Sequence, residues 1–267
     1  MSFLEMLQAA FLGLVEGLTE FLPVSSTGHL ILFVDLLGLK MPPAQVFEIV
    51  IQLGAILAVC VVYAKKLFGA LFASPRDPDA RRFIMAIIIA FLPAMIVGAF
   101  AYGFIKSVLF SPWVVSTTLI VGGIAIIVIE RHLPKIKYNK VEDFSLPLAL
   151  KIGLFQVVSM IPGVSRAGAT IMGALLMGVE RRAAAEFSFF LAIPTMVAAT
   201  VFDLYKNWNV LSFEDGGVII IGFISAFLAA LFVVRTFINF VGRHGFVPFA
   251  WYRIVLGIAM LAILFLR

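Results

Sequence analysis

The stretch EGLTEFLPVSSTGHLIL, residues 16–32, sets two glutamates, a run of hydroxyls and a histidine inside an otherwise apolar segment. It breaks that segment at Leu22-Pro23-Val24-Ser25-Ser26-Thr27-Gly28. Pro and Gly end helices and free backbone groups that lipid cannot satisfy, so such a break survives in a membrane only inside protein or beside water. Residues 3–39 therefore read as a re-entrant helix-loop-helix.

The surrounding composition makes the membrane setting secure. Hydrophobic residues are 63% of the 267-residue chain and charged residues 13%, with mean hydropathy +1.12. Soluble domains carry roughly twice that charged fraction. The apolar segments read as helices and not as barrel strands. The net charge of +5 comes from basic residues in connectors beside apolar spans, an orientation signal that argues against nucleic-acid binding. The N-terminus lacks a basic signal-peptide region, so no cleaved leader is expected. Cys60 is the single cysteine, which rules out an intramolecular disulfide.

Six segments are long enough to cross a bilayer, at about 44–64, 82–105, 112–130, 183–204, 216–235 and 248–266. A second interrupted stretch, 147–178, breaks at Pro162-Gly163-Val164-Ser165-Arg166. LVEGLTEFLPVSS (14–26) parallels LFQVVSMIPGVS (154–165) with one gap, pairing Pro23 with Pro162 and Ser26 with Ser165. Further on, Glu48 pairs with Glu186. The expected fold is an all-α integral membrane protein of six transmembrane helices plus two re-entrant hairpins. It forms a single domain over 1–267, with repeat 1 at about 1–138 and repeat 2 at about 145–267.

Three spans and a hairpin per repeat make the second copy insert upside down. Most Lys and Arg, among them Lys65, Lys66, Arg81, Arg82, Arg181 and Arg182, then fall on one side, which the positive-inside rule makes cytoplasmic. Both termini are expected on the opposite side. The hairpins enter from opposite faces and bring their breaks together near the midplane, where inverted-repeat proteins build ligand sites.

Glu16 and Glu20, four apart on a helix, share one face; two neighbouring carboxylates suit a divalent cation or proton transfer. Ser25, Ser26 and Thr27 are either helix caps or substrate contacts. His29, a few residues on, suits an activated nucleophile or a general acid. Arg166, at the start of a half-helix far from both faces, suits a phosphoryl clamp or a buried pair with Glu16 or Glu20. Glu48, Gln52 and Glu186 read as supporting residues, and Arg253 as an arginine that snorkels to the interface.

EGLTEFLPVSSTGHLIL and PGVSRAGAT together resemble the undecaprenyl-diphosphate phosphatase family of bacitracin-resistance proteins, over essentially the whole chain. The resemblance implies hydrolysis of undecaprenyl diphosphate to undecaprenyl phosphate and inorganic phosphate in the bacterial inner membrane, recycling the lipid carrier of cell-wall synthesis. It places active-site residues at Glu16, Glu20, Ser26, His29 and Arg166. Ser165 and Thr170 become phosphate contacts beside the candidate substrate residues Ser25 and Thr27, and Mg²⁺ or Ca²⁺ is expected on Glu16 and Glu20. The site is expected to open toward the periplasm. Ala167 stands where the family often has Ser, which touches only a secondary contact.

A transporter or flippase is the rival class, since broken helices at a midplane serve transport as well. The hydroxyl–His pair beside two carboxylates favours hydrolysis. The acid-phosphatase-like lipid phosphatases fit less well, because the position where they need a second His is Met172. Gly- and Ala-rich spans permit a homodimer.

Overall fold

Ser2 opens the first helix with a reciprocal cap: its hydroxyl accepts from the Glu5 amide, and the Glu5 carboxylate accepts from the Ser2 amide at 2.7 Å. The computed structural model describes residues 2–37, 44–105, 109–206 and 216–266. Helix α1 spans Phe3–Thr19 and α2 spans Ser26–Leu37. Then follow α3 (Ala44–Val62), α4 (Ala64–Ala73), α5 (Pro78–Phe104) and α6 (Pro112–Arg131). The second half contains α7 (Leu146–Val158), α8 (Arg166–Leu176), α9 (Arg181–Lys206), α10 (Gly216–His244) and α11 (Val247–Leu266). No strand occurs among the described residues, only an isolated bridge between Tyr138 and Val179.

Among the described residues five helices, α5, α6, α9, α10 and α11, are long and apolar enough to cross a membrane, and a sixth is reached if α3 and α4 count as one broken span. That pair is bent by 71°. The sequence reading placed Lys65 and Lys66 in a connector; they instead begin α4. AKKLFGALFA is amphipathic and buries none of its residues, with Phe68, Leu71 and Phe72 exposed. Expected boundaries also move outward at α10, which continues past 235 to His244 because Arg243 and His244 suit a helix C-terminus.

Both interrupted stretches are helix–break–helix, with the breaks at 20–25 and 159–165, slightly earlier than expected. Each break ends on a serine in the left-handed region, Ser25 at φ 71° and Ser165 at φ 78°. A non-glycine residue there costs about 1–2 kcal/mol, so surrounding structure must hold it. Each serine caps the helix that follows: Ser25 Oγ accepts from the Gly28 amide at 3.2 Å and Ser165 Oγ from the Gly168 amide at 3.0 Å. The structural mates are thus Ser25 with Ser165 and Gly28 with Gly168, each pair 140 residues apart. This corrects the pairing of Ser26 with Ser165: matching the prolines forced a gap that the backbone does not contain. At the same interval Ser26 faces Arg166, Glu16 faces Gln156 and Gly13 faces Gly153.

The first arm of each stretch packs on the other half of the chain, α1 against α10 and α7 against α5. A Cβ at Gly13 would strike the Gly222 carbonyl of α10, and one at Gly153 would strike the Ala90 carbonyl of α5. Close backbone approach therefore requires glycine at both mates. Gly153→Leu is expected to cost about 3 kcal/mol or more, at or beyond the upper end for overpacking. A lower melting temperature and loss of monodisperse protein in detergent would show it; an unchanged melting curve would refute the close contact.

The two breaks are tied together by Arg253, which is 1% exposed. Its guanidinium donates to the carbonyls of Pro23 at 2.9 Å, Gly163 at 2.9 Å and Val164 at 2.8 Å, and to those of Thr118 and Leu119 on α6. This overturns the expectation that Arg253 snorkels to the interface. Loop carbonyls released by two helix breaks need donors, and a five-donor fork supplies them.

Candidate active site

The breaks at 20–25 and 159–165 face one cavity of about 400 Å³, whose polar end holds Glu20, Ser25, Ser26, Ser165 and Arg166. Thr27 also borders it. The rest of the wall is mainly apolar, from Phe91, Met95, Phe110, Met196 and Phe202. The chamber therefore has a charged end and a greasy end, a shape that suits a lipid with a charged head.

Ser26 is the first residue of α2 and lies within hydrogen-bond contact of Glu20, its hydroxyl donating to one carboxylate oxygen. The other oxygen takes a hydrogen bond from Arg166 Nη2 at 3.2 Å, both side chains being about 10% exposed. Arg166 Nη1 is held by the Ser188 carbonyl at 2.8 Å and lies 3.3 Å from the Ser188 hydroxyl. Ser26, Glu20 and Arg166 thus form one connected line: a hydroxyl, a carboxylate placed to take its proton, and a cation fixed from behind. Buried pairs of this kind stabilise little and serve chiefly to position charge.

The other expected residues lie outside the cavity. Glu16 is fully buried, both its carboxyl oxygens lack a hydrogen-bond partner, and the charges acting on it are Glu20, Glu48 and Arg166. Thr170 sits one turn into α8 and donates to the Ser188 hydroxyl at 2.8 Å, so it acts on Arg166 through Ser188. His29 is not brought to Ser26. Its Nδ1 lies 2.7 Å from the Ser25 carbonyl and its Nε2 2.6 Å from the Tyr252 hydroxyl, with the two rings stacked. A carbonyl only accepts, so Nδ1 carries a hydrogen and the imidazole braces the strained Ser25 turn. Of the supporting residues, Gln52 borders the cavity and Glu186 pairs with Lys66 at 3.3 Å.

Sequence reading missed Ser188, Tyr252 and the role of Arg253. Ser188 lies in an unremarkable EFSFF run, and nothing in its spacing marks it; Arg253 was visible as a charge within a span, yet its depth was not. Among the described residues no group of three or more His, Cys, Asp or Glu side chains could hold a metal ion.

A family model described as "Bacitracin resistance protein BacA" matches residues 9–259. Undecaprenyl-diphosphatase 2 of Paramagnetospirillum magneticum is 56% identical over 262 residues, covering 98% of this chain and all of that one. Undecaprenyl-diphosphatase 1 of Agrobacterium fabrum is 54% identical over 252 residues, 94% of each chain. The undecaprenyl-diphosphatase of Cereibacter sphaeroides is 55% identical over 259 residues, 97% of this chain and 96% of that one.

Proposed function

Because the chain belongs to the bacitracin resistance protein BacA family, we infer that it is a membrane phosphatase that hydrolyses undecaprenyl diphosphate to undecaprenyl phosphate and inorganic phosphate. The observation that carries the reading is the Ser26–Glu20–Arg166 line at the polar end of a lipid-shaped cavity.

In the proposed reaction Ser26 Oγ attacks the terminal phosphorus while Glu20 accepts the hydroxyl proton. The phosphoanhydride bond breaks and undecaprenyl phosphate leaves with the proton from Glu20, which restores the carboxylate. Water then attacks the phosphoserine phosphorus and gives its proton to Glu20, the bond from phosphorus to Ser26 Oγ breaks, Oγ takes the proton back from Glu20, and inorganic phosphate is released. Arg166 stabilises the charge on the transferring group, the main task of a phosphoryl-transfer site. Ser165 and Thr27 border the same end. His29 positions the turn that presents Ser26. Direct attack by water activated by Glu20 is the alternative within the same pocket.

A divalent cation fits this donor set. The unpartnered oxygens of Glu16 lie beside Glu20, and Mg²⁺ in phosphoryl-transfer sites takes only one or two carboxylates plus substrate oxygens. Glu20 at the cavity's polar end would hold it, with Glu16 one turn behind it on α1, and when bound it would neutralise diphosphate charge.

The proposed arrangement is six spans and two re-entrant hairpins in inverted repeats, in the bacterial inner membrane. Both termini and the cavity mouth lie on the periplasmic side, supported by the basic residues that share the other face. There the enzyme returns the carrier lipid to peptidoglycan synthesis; assembly as a homodimer is consistent with its Gly- and Ala-rich spans.

The test is phosphate release from undecaprenyl diphosphate by purified protein, with and without EDTA, beside Ser26→Ala. Release that requires metal and falls at least about a thousandfold in the variant is expected, the scale lost when a covalent nucleophile is removed. Substantial release by Ser26→Ala would assign the attack to water.

A further inference from the structure

Gln156 is 1% exposed and borders the cavity, yet its Nε2 has no hydrogen-bond partner. Its Oε1 lies 3.4 Å from the Thr195 hydroxyl, which itself donates to the Leu191 carbonyl at 2.7 Å. A primary amide carries two N–H hydrogens, so at least one faces no protein acceptor however the group is turned. A buried unmet donor costs about 1–3 kcal/mol. A second unmet donor belongs to another residue of the same wall: Arg166 Nε, also buried and without a partner. Two orphaned donors on residues of one cavity wall suit an acceptor-only ligand that draws them toward it.

Position gives the ligand its identity. Gln156 is the repeat mate of Glu16, so the second half carries a neutral donor where the first carries an acid. That removes a charge which would repel an anion. Thr195 is seven residues from Ser188 along α9, about 10 Å at helical rise; Ser188 marks the level of Arg166, and Met196 and Phe202 mark the apolar wall. Gln156 thus stands between the hydrolytic end and the greasy end.

We propose that the Gln156 carboxamide seats the phosphate that remains on the lipid, a subsite distinct from the Ser26 and Glu20 end where the terminal phosphate is cleaved. The inference rests on the phosphatase reading and names the group that holds its leaving group. During turnover the subsite anchors the bridging side of the diphosphate so that the terminal phosphorus meets Ser26. After turnover it retains the lipid monophosphate.

The test compares equilibrium binding of undecaprenyl phosphate and undecaprenol, which share the chain and differ by the phosphate. It uses full-length protein in nanodiscs and is read without turnover. Wild type should prefer the phosphate, and Gln156→Leu should cut that preference about tenfold, the scale of one hydrogen bond to a charged group. Gln156→Glu, nearly isosteric and able to keep the Thr195 contact, should cut it further. Inorganic phosphate as competitor separates sources: displacement of the lipid phosphate only at far higher concentration supports the lipid-borne group. An unchanged preference in Gln156→Leu overturns the proposal, as does equal weakening of both ligands, which would mean a collapsed cavity. Equal competition by free phosphate overturns the lipid assignment. Failure of wild type to release phosphate from the diphosphate would sink the enzymatic reading instead, and is seen in a separate assay.

Discussion

Arg166→Ala should lower the rate of phosphate release from undecaprenyl diphosphate by about three orders of magnitude or more, the range found when a phosphoryl-clamping arginine is removed. In the structure this guanidinium is the cation at the cavity's polar end, bonded to Glu20 and braced by the Ser188 carbonyl. Its loss removes charge stabilisation in the transition state and leaves Glu20 without its partner. Arg166→Lys should recover only part of the rate, because one ammonium cannot span Glu20 and Ser188 as a fork does. Single-turnover kinetics separate chemistry from binding. A variant with kcat within tenfold of wild type would show that the clamp lies elsewhere.

Arg253→Met should destabilise the protein by about 3–5 kcal/mol, the scale for leaving several buried carbonyls unpaired at about 1–3 kcal/mol each. Methionine fills much of the volume but leaves the carbonyls of Pro23, Gly163 and Val164 without their donor. Those carbonyls belong to the breaks that carry Ser25 and Ser165, so activity should fall together with the melting temperature. Arg253→Lys should regain a fraction of both. Wild-type stability in the methionine variant would mean that water or rearranged backbone meets the loops, and that the clasp is dispensable.

Fold class and the two breaks were legible because they follow from local chemistry: apolar length, Pro and Gly, and polar residues where lipid forbids them. The same logic exposed Glu20, Ser26 and Arg166, which the structure brings together. Three things were not legible. His29 was expected near the serine, but a side chain at the start of a helix can turn to either side, and the Tyr252 hydroxyl that captures it comes from the last helix, 223 residues away. The register of the repeat was misread by one residue because prolines attract alignment, whereas backbone geometry pairs Ser25 with Ser165. Arg253 was taken for an interfacial residue because hydropathy gives depth along a span and not which carbonyls lie beside it. Each miss concerns a contact between residues far apart in the chain.

The exchange of first arms between the two halves has a bearing on how the chain is made. Helix α1 ends at Thr19, and the helix that covers its glycine face, α10, begins at Gly216, about 200 residues later. At roughly 5–20 residues per second the ribosome takes on the order of ten seconds or more to supply that partner. Until then α1 has only α2 and α3 to pack on, and its glycine face at Gly13 lacks the α10 backbone that closes against it. The α7–α5 contact has the reverse timing: α5 is already in place when α7 emerges. Birth order thus separates two arms that the finished structure treats as equivalent, and it is the first-made one, carrying Glu16, that is completed last.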